Sequence, residues 1–360
     1  MYKVKILGAG SIGNHLTHAS RRLGWDVVLC DRDPAALERT RHEIYPARYG
    51  AFDEAITLCE ADQAPRGGFD LIFVGTPPAS HVPLALEALE ERPRAILVEK
   101  PLCTPDLEGA EKLRELSRSL GVEVFVGYNH SVGRAARAAR ARLGDLGRIE
   151  TLDVEFREHW GGIFAAHPWL SGPEASYLGH WRQGGGASGE HSHAIHLWID
   201  LAHAVGAGRV RAVTASLDYV ASEAAEYDRL CLLNLTTEGG LCGRVVQDVV
   251  TSPPRKWARV QGDQGFVEIG IGGTDEVRSG GAGRETACER FEKTRPDDFI
   301  AELEHVRHVL NEDEPNGSLS LDRGLEAMLV VAAAHRSARE GRRIVIDPGA
   351  GFGPGSLQAD

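Results

Sequence analysis

Short apolar runs alternate with amphipathic, helix-like segments over the first third of the chain. The runs 3–7, 26–30, 69–74, 95–99 and 122–126 have the length and apolar character of buried strands. Between them, 14–23, 80–91 and 104–120 show helical patterns, and Thr104 and Pro105 resemble the cap and first residue of the last helix. This alternation predicts a parallel sheet with helices on its faces.

The pattern changes after residue 126 to longer runs with period-two alternation. These runs, at 149–156, 210–219, 229–235 and 242–250, predict a mainly antiparallel sheet. Helices are predicted at 192–205, 298–310 and 321–339. We therefore predict an α/β protein with domains at 1–126 and 127–347 and a disordered tail at 348–360. A large open sheet with one uncovered face also predicts a homodimer or homotetramer.

A glycine-rich turn follows the first predicted strand and precedes the first helix. In Gly8-Ala9-Gly10-Ser11-Ile12-Gly13, the first glycine permits the turn and the second lets the backbone approach a pyrophosphate. The third allows close packing of helix and strand, and the helix N-terminus supplies amide donors. This motif predicts a dinucleotide-binding domain.

Asp31 ends the second predicted strand, about 20 residues past the glycine turn. A carboxylate there accepts hydrogen bonds from a free ribose 2′-hydroxyl and repels a 2′-phosphate, which favours NAD over NADP. Arg32 leaves NADP possible, because a guanidinium can stack on adenine or pair with that phosphate, or simply lie in solvent.

Composition narrows the class of protein. The chain has 360 residues, 42% of them hydrophobic, and a formal net charge of −12. The negative charge disfavours nucleic acid as a partner, and the arginines within 134–142 are typical of a solvated helix face. No stretch approaches the roughly 20 apolar residues of a membrane span, and no signal peptide is evident. Six scattered cysteines favour reduced thiols, so a cytoplasmic enzyme is expected.

Further candidate residues follow the later strands of the first domain. Thr76 follows the strand 69–74, and His81 begins the next helix, where it either caps that helix or contacts cofactor. The tripeptide Glu99-Lys100-Pro101 ends the strand 95–99. Ligands of such sheets bind beyond the carboxyl ends of the strands, so Lys100 is expected beside the cofactor.

A histidine cluster occupies 190–200 in the second domain. Glu190, His193, His196 and Asp200 are spaced at three or four residues, which places them on one side of a helix. A metal site and purely structural histidines are both possible, but general acid/base chemistry is favoured because an imidazole can accept an alcohol proton.

These motifs together resemble the glucose-fructose oxidoreductase, inositol dehydrogenase and rhizopine-catabolism (Gfo/Idh/MocA) family. The resemblance rests on the glycine turn, Gly75-Thr-Pro-Pro78 with His81, Glu99-Lys-Pro101, Gly127-Tyr-Asn129, and Gly184-Gly-Gly186 followed by an acid and a histidine. It implies an N-terminal Rossmann domain and a C-terminal α/β domain with a large open sheet. It also implies reversible hydride transfer between nicotinamide and a hydroxyl or keto carbon of a sugar, sugar derivative or cyclitol.

The resemblance also implies roles for individual residues. Lys100 resembles the family lysine that hydrogen-bonds the reacting oxygen, and His193 resembles the catalytic histidine, with Glu190 three positions before it. In a subset of the family an acid precedes Ser-His in this way and His167-Pro168-Trp169 lies upstream, which favours His193 over His191 and His196. The implied cofactor-binding residues are Gly8, Gly10, Ser11, Ile12, Gly13, Asp31, Arg32, Thr76, Pro77, His81, Glu99, Lys100 and Asn129. No metal is implied.

The substrate pocket is expected in segments rich in Trp, His and Arg. Indole faces pack on sugar C–H surfaces and charged groups bind hydroxyls, so substrate-binding candidates besides Lys100 and His193 are His159, Trp160, Trp169 and Arg182. A surface loop packed on its own aromatic residues is the alternative. Two other functions also fit the sequence: an NAD-retaining glycosidase or lyase that uses transient oxidation, and a dinucleotide-sensing protein.

Overall fold

Two β-sheets organise the chain, which a computed structural model describes over residues 1–165, 169–312 and 315–360. The first sheet is wholly parallel and has the order β3-β2-β1-β4-β5-β6. Its strands are β1 Lys3–Leu7, β2 Asp26–Asp31, β3 Thr57–Glu60, β4 Leu71–Val74, β5 Ala95–Glu99 and β6 Glu123–Gly127. The order reverses between β1 and β4, which creates the crevice where such sheets bind ligands. The predicted Rossmann-like parallel sheet is confirmed.

Helices of the first domain connect these strands. They are α1 Ser11–Arg22, α2 Pro34–Arg39, α3 Tyr45–Tyr49, α4 His81–Glu90 and α5 Ala110–Leu120. The prediction that a helix begins at 104 is wrong. Leu107 and Gly109 have φ values of 63° and 72°, which a right-handed helix does not accommodate, and Thr104 Oγ1 donates to the Asp106 carboxylate instead of capping.

The second sheet has ten strands in the order β14-β13-β12-β11-β7-β10-β9-β8-β15-β16. They are β7 Ile149–Arg157, β8 Val210–Ala221, β9 Glu226–Thr237, β10 Cys242–Asp248, β11 Arg255–Gly262, β12 Gly265–Gly270, β13 Thr274–Gly281, β14 Arg284–Glu292, β15 Ile344–Ile346 and β16 Leu357–Ala359. The pair β7 and β10 is parallel, and the other pairs are antiparallel. The mainly antiparallel sheet is as predicted.

The second domain also contains helices, most of which pack on one face of this second sheet. They are α6 Arg134–Arg140, α7 Trp160–Ala165, α8 Gly186–Glu190, α9 Ser192–Ala204, α10 Arg295–Glu312 and α11 Leu321–Glu340. The helices α9 and α11 pack on β7 and β8, whereas α10 packs on α1 of the first domain. On the uncovered face Leu232 is exposed. Among the described helices, none is both long enough and apolar enough to cross a bilayer.

The C-terminal tail is ordered where disorder was predicted. Strand β16 pairs with β15 and forms the edge of the sheet. Phe352 is buried, its backbone N–H donates to Glu111 of α5 at 2.7 Å, and its ring lies under the guanidinium groups of Arg114 and Arg209. Partners distant in sequence order the tail, so its glycine-rich composition alone was misleading.

Candidate active site

The glycine turn between β1 and α1 fits a bound pyrophosphate. A Cβ on Gly13 would lie 1.7 Å from the Gly8 carbonyl oxygen, so only glycine allows helix and turn to approach this closely. Gly10 is exposed, and a Cβ there would meet nothing within 4 Å. No side chain caps the first turn of α1. The turn therefore presents open space to the N-terminal amides of α1, with Ser11 and Ile12 in its first turn.

Ser11 has a partner that the sequence did not suggest. The Arg48 guanidinium donates to the carbonyl oxygen and to Oγ of Ser11, at 3.0 and 2.9 Å. This places a cation directly beside the glycine turn, where it would favour an anionic ligand.

Asp31 is joined to the same turn. Its Oδ2 accepts from the Ala9 backbone N–H at 2.7 Å, and its Oδ1 accepts from the Asp33 N–H at 2.9 Å. Each oxygen retains acceptor capacity toward ribose hydroxyls. Arg32 is exposed beside it.

The loop after β4 places His81 differently from either predicted role. Its Nδ1 lies 2.9 Å from the carbonyl oxygen of Pro101 and its Nε2 lies 2.6 Å from that of Thr76. Burial lowers its pKa to about 4. A neutral imidazole carries one N–H, so it donates to one of these two carbonyl oxygens. The ring is buried with both nitrogens facing backbone oxygens, so direct cofactor contact is not supported. The imidazole instead joins the Thr76-Pro77 loop to the turn that carries Lys100.

Lys100 reaches from the first domain to the second. Its ammonium donates to two oxygens of Glu190, the backbone carbonyl at 2.9 Å and carboxylate Oε2 at 3.2 Å. A glycine makes this approach possible: Gly184 has a φ of 89°, and a Cβ there would lie 2.9 Å from Pro78. The two predicted catalytic residues Lys100 and Glu190 are therefore brought together.

The three histidines of the 190–200 cluster differ in environment. His196 is fully buried, stacks on Tyr128, and has Nδ1 2.9 Å from Ser131 Oγ. His191 is also buried. His193 alone is partly exposed, with its ring against His130 and Tyr128. Access to a substrate thus favours His193 over its two neighbours.

Burial controls the charge of these imidazoles. It lowers the pKa of His191 and of His196 to about 4. The pKa of His193 lies well below its ordinary value because of burial, with further lowering by His130 and by the positive charges of Lys100 and Lys256. His193 is therefore neutral at pH 7 and able to accept a proton.

His130 is a site residue that sequence reasoning missed. It follows Asn129, its ring centroid lies 4.6 Å from that of His193, and burial lowers its pKa. The only available signal was its position one residue after the Gly127-Tyr-Asn129 motif. Asn129 itself is buried, and its Oδ1 has no hydrogen-bond partner among the described residues.

Glu99 lies behind Lys100 and is buried with Glu302 of α10. Its Oε2 accepts from the Lys100 backbone N–H at 3.2 Å. Burial raises the pKa of Glu99 to about 7, against the lowering effect of Lys100, and raises that of Glu302 well above its ordinary value. Burial therefore favours the protonated form of both carboxyl groups.

The other predicted substrate-binding residues are not gathered into one site as Lys100 and Glu190 are. His159 is exposed, and its Nδ1 accepts from Gly161 N–H at the start of α7. Trp160 is buried against Tyr227, whereas Trp169 is exposed. Arg182 pairs with Glu226 and stacks on Trp181. His167 and Pro168 lie outside the described residues, and the substrate roles of the set stay predictions.

A second ion pair lies near His193. Lys256 of β11 contacts Glu158, which follows β7, with Nζ and Oε2 2.6 Å apart. Within the described parts of the chain, no group of three or more His, Cys, Asp or Glu side chains is arranged to hold a metal ion.

Comparison with known proteins identifies the family. The model of the oxidoreductase family with an NAD-binding Rossmann fold matches residues 2–128, and that of the Gfo/Idh/MocA C-terminal domain matches 135–268. The chain belongs to the Gfo/Idh/MocA family, and its N-terminal domain is an NAD-binding Rossmann domain. The resemblance noted from the motifs is confirmed. No curated protein matches the chain at a significant level.

Solved structures show the same fold over nearly the whole chain. An oxidoreductase from Agrobacterium radiobacter, in complex with NAD+, L-tartaric acid and magnesium, is 19% identical, with a TM-score of 0.77 and coverage of 96% of this chain and 98% of that one. The WlbA dehydrogenase from Bordetella pertussis, with NADH and UDP-GlcNAcA, is 22% identical, with a TM-score of 0.71 and coverage of 96% and 98%. The aldose-aldose oxidoreductase from Caulobacter crescentus, with glycerol, is 20% identical, with a TM-score of 0.73 and coverage of 96% and 99%.

Proposed function

We propose that this oxidoreductase transfers hydride between NAD and a hydroxyl-bearing carbon of a sugar, sugar derivative or cyclitol. The observation that carries the proposal is the contact of the Lys100 ammonium with Glu190, three residues before the partly exposed His193. A fixed cation and a neutral base in one site suit the oxidation of an alcohol. Structural neighbours crystallised with UDP-GlcNAcA and glycerol support a hydroxyl-rich substrate.

The residues at the carboxyl ends of β1, β2 and β5 fit a dinucleotide. The open turn at Gly10 and the α1 N-terminus would hold the pyrophosphate, and the free acceptor capacity of Asp31 would hold the adenosine ribose. Bound NAD supplies the hydride acceptor for the reaction.

His193 and Lys100 have different roles in the proposed reaction. His193 takes the proton from the substrate hydroxyl, because its lowered pKa leaves it neutral at pH 7. Lys100 donates a hydrogen bond to the oxygen as negative charge develops on it. Glu190 holds the Lys100 side chain in position through its two oxygens. A homodimer or homotetramer stays a prediction for the assembly.

Substitution of the two central residues tests the proposal. A screen of neutral sugars and cyclitols for NADH formation identifies a substrate of the parent protein. We expect Lys100→Met and His193→Ala each to lower kcat by about a hundredfold or more, because a charge stabiliser or a base is lost. NADH binding by His193→Ala, followed by fluorescence, should stay close to that of the parent.

Exposed residues of the same types provide matched controls. Lys112→Met and His42→Gln alter side chains on the surface of the first domain and should leave kcat within about twofold. If either active-site variant retained activity within a few-fold of the parent, its catalytic assignment would be wrong.

A further inference from the structure

Two ion pairs lie near the segment that carries His191 and His193. Lys100 and Glu190 form one pair, and Lys256 and Glu158 form the other. The pKa of His191 responds to all four charges: both lysines lower it, and both glutamates raise it. The family motifs account for Lys100 and Glu190 and leave the second pair unexplained.

Strand geometry places the second pair on the active-site face of the sheet. Lys256 of β11 is the cross-strand partner of Phe156 in β7, and its ammonium lies 6.0 Å from the centroid of that ring. The Phe156 ring in turn stacks on His193 with centroids 6.4 Å apart. Glu158 lies just after β7, and its contact with the Lys256 ammonium holds it on the same side. Lys256 and Glu158 are thus separated from His193 by one aromatic ring.

The Lys256–Glu158 pair is partly buried and offers both a hydrogen-bond donor and an acceptor. The side chains of Lys256 and Glu158 are 22% and 20% exposed, which leaves each accessible to a ligand. A glycine makes room for the carboxylate, since a Cβ on Gly162 would lie 2.7 Å from Glu158 Oε1. An ammonium donates only, and a carboxylate accepts only, so together they offer both kinds of hydrogen bond at one place.

We propose that Lys256 and Glu158 form a second polar subsite that binds a hydroxyl pair of a neutral polyol, at a position away from the reacting carbon. The inference rests on the proposed function and specifies its substrate class. Each hydroxyl of a diol both donates and accepts, so two adjacent hydroxyls match the ammonium and the carboxylate. Phe156 is buried between the Lys256 ammonium and the His193 ring, and it sets the separation between this subsite and the reacting carbon.

Charge balance makes the subsite selective against acidic sugars. A substrate carboxylate at this position would meet Glu158 and lie beside a lysine that is already neutralised. Like charges at short distance in a partly buried site cost binding energy, whereas a neutral diol leaves the ion pair balanced. The same pair therefore accepts neutral polyols and rejects uronates.

Matched neutral and acidic substrates test this selectivity. We expect the parent protein to form NADH with a higher kcat/KM for a neutral sugar than for its uronate, using glucose with glucuronate and galactose with galacturonate. Glu158→Gln removes the repulsive charge and leaves Lys256 unpaired. It should lower the neutral-to-acid ratio of kcat/KM by about tenfold or more, mainly through KM. The exchanged double variant Glu158→Lys with Lys256→Glu should restore the preference for the neutral sugar.

A pair on the opposite face of the same strands provides the control. Glu155 of β7 pairs with Arg255 of β11, and Glu155→Gln should leave the ratio within about twofold. NADH binding, followed by fluorescence, verifies that each variant is folded.

The outcomes separate the inference from the function on which it rests. If the parent oxidises a sugar but prefers uronates, or if Glu158→Gln leaves the ratio unchanged, the subsite is refuted and the dehydrogenase function stands. If the parent binds NADH but oxidises no sugar or cyclitol, the proposed function fails and the subsite falls with it.

Discussion

At the scale of single residues, Asp31 has two tasks that its sequence position does not separate. Its Oδ2 accepts from the Ala9 N–H of the glycine turn, and in the proposed function its charge faces the ribose 2′ group. Asp31→Asn keeps an acceptor for the Ala9 N–H but removes the charge, so NADPH binding should tighten about tenfold relative to NADH. Asp31→Ala loses both contributions and should weaken both cofactors. Fluorescence titration with NADH and NADPH measures the two ratios.

The two variants also distinguish charge from geometry. If Asp31→Asn left the preference unchanged while Asp31→Ala altered it, the residue would act by holding the turn alone. A preference of the parent for NADPH would contradict the role given to the Asp31 carboxylate.

At the scale of elements, a buried chain of hydrogen bonds holds helix α8, which carries Glu190. Ser188 donates from its backbone N–H and its hydroxyl to Asp228, at 2.7 and 3.1 Å. Ser188 Oγ also lies 3.0 Å from His335 Nε2, and His335 Nδ1 lies 2.6 Å from the Tyr219 hydroxyl. When Asp228 is ionised, the Tyr219 hydroxyl donates to His335, His335 donates to Ser188, and the Ser188 hydroxyl donates to Asp228. When Asp228 is protonated, each of these hydrogen bonds can run in the opposite direction.

Burial raises the pKa of Asp228 to about 7. The contribution of these hydrogen bonds to stability should therefore depend on pH. Between the ordinary pKa near 4 and pH 7, the folded protein keeps a proton that the unfolded chain releases. The Asp228 contribution to the free energy of unfolding therefore falls as pH rises through this window and is constant above it. Asp228→Asn mimics the protonated acid, so its cost relative to the parent should shrink as pH rises from 5 to 8.

Urea unfolding of the parent and of Asp228→Asn at several pH values measures that difference. The buried histidines titrate in both proteins, so their effect on the free energy of unfolding cancels in the comparison. Asp218→Asn changes a carboxylate on the surface of the neighbouring strand β8 and is the control. Asp228→Ala should cost about 2 kcal/mol because Ser188 loses its acceptor. A pH-independent cost for Asp228→Asn would show that the carboxyl group does not titrate in this range.

The elements also show what a sequence can predict. The strands of the first sheet were predictable because each is a short apolar run, buried on both faces, next to a recognisable turn. The strand β3 was missed because it lies at the edge with little buried surface. Strands β11 to β14 lack a strong apolar pattern, and their pairing depends on partners far along the chain. Lys256 was missed for the same reason, since only the β7 and β11 register brings it beside Phe156.

At the scale of the whole molecule, two sets of contacts join the domains away from the active site. Arg114 and Arg118 of α5 both pair with Asp322 of α11. The ordered tail adds Phe352, which lies between Arg114 of the first domain and Arg209 of the second. The geometry of Lys100 and Glu190, which come from different domains, therefore depends on these distant contacts.

Substitution in the tail tests this dependence. Phe352→Ala removes a buried ring and two cation–π contacts, and it should lower the free energy of unfolding by about 3 kcal/mol. Truncation after Asp347 also removes β16 and leaves β15 as an open edge, so the loss should be larger. Gln358→Ala, at an exposed position of β16, is the matched control. Urea unfolding measures all three. If the truncated protein unfolded at the same urea concentration as the parent, the tail would contribute nothing to joining the domains.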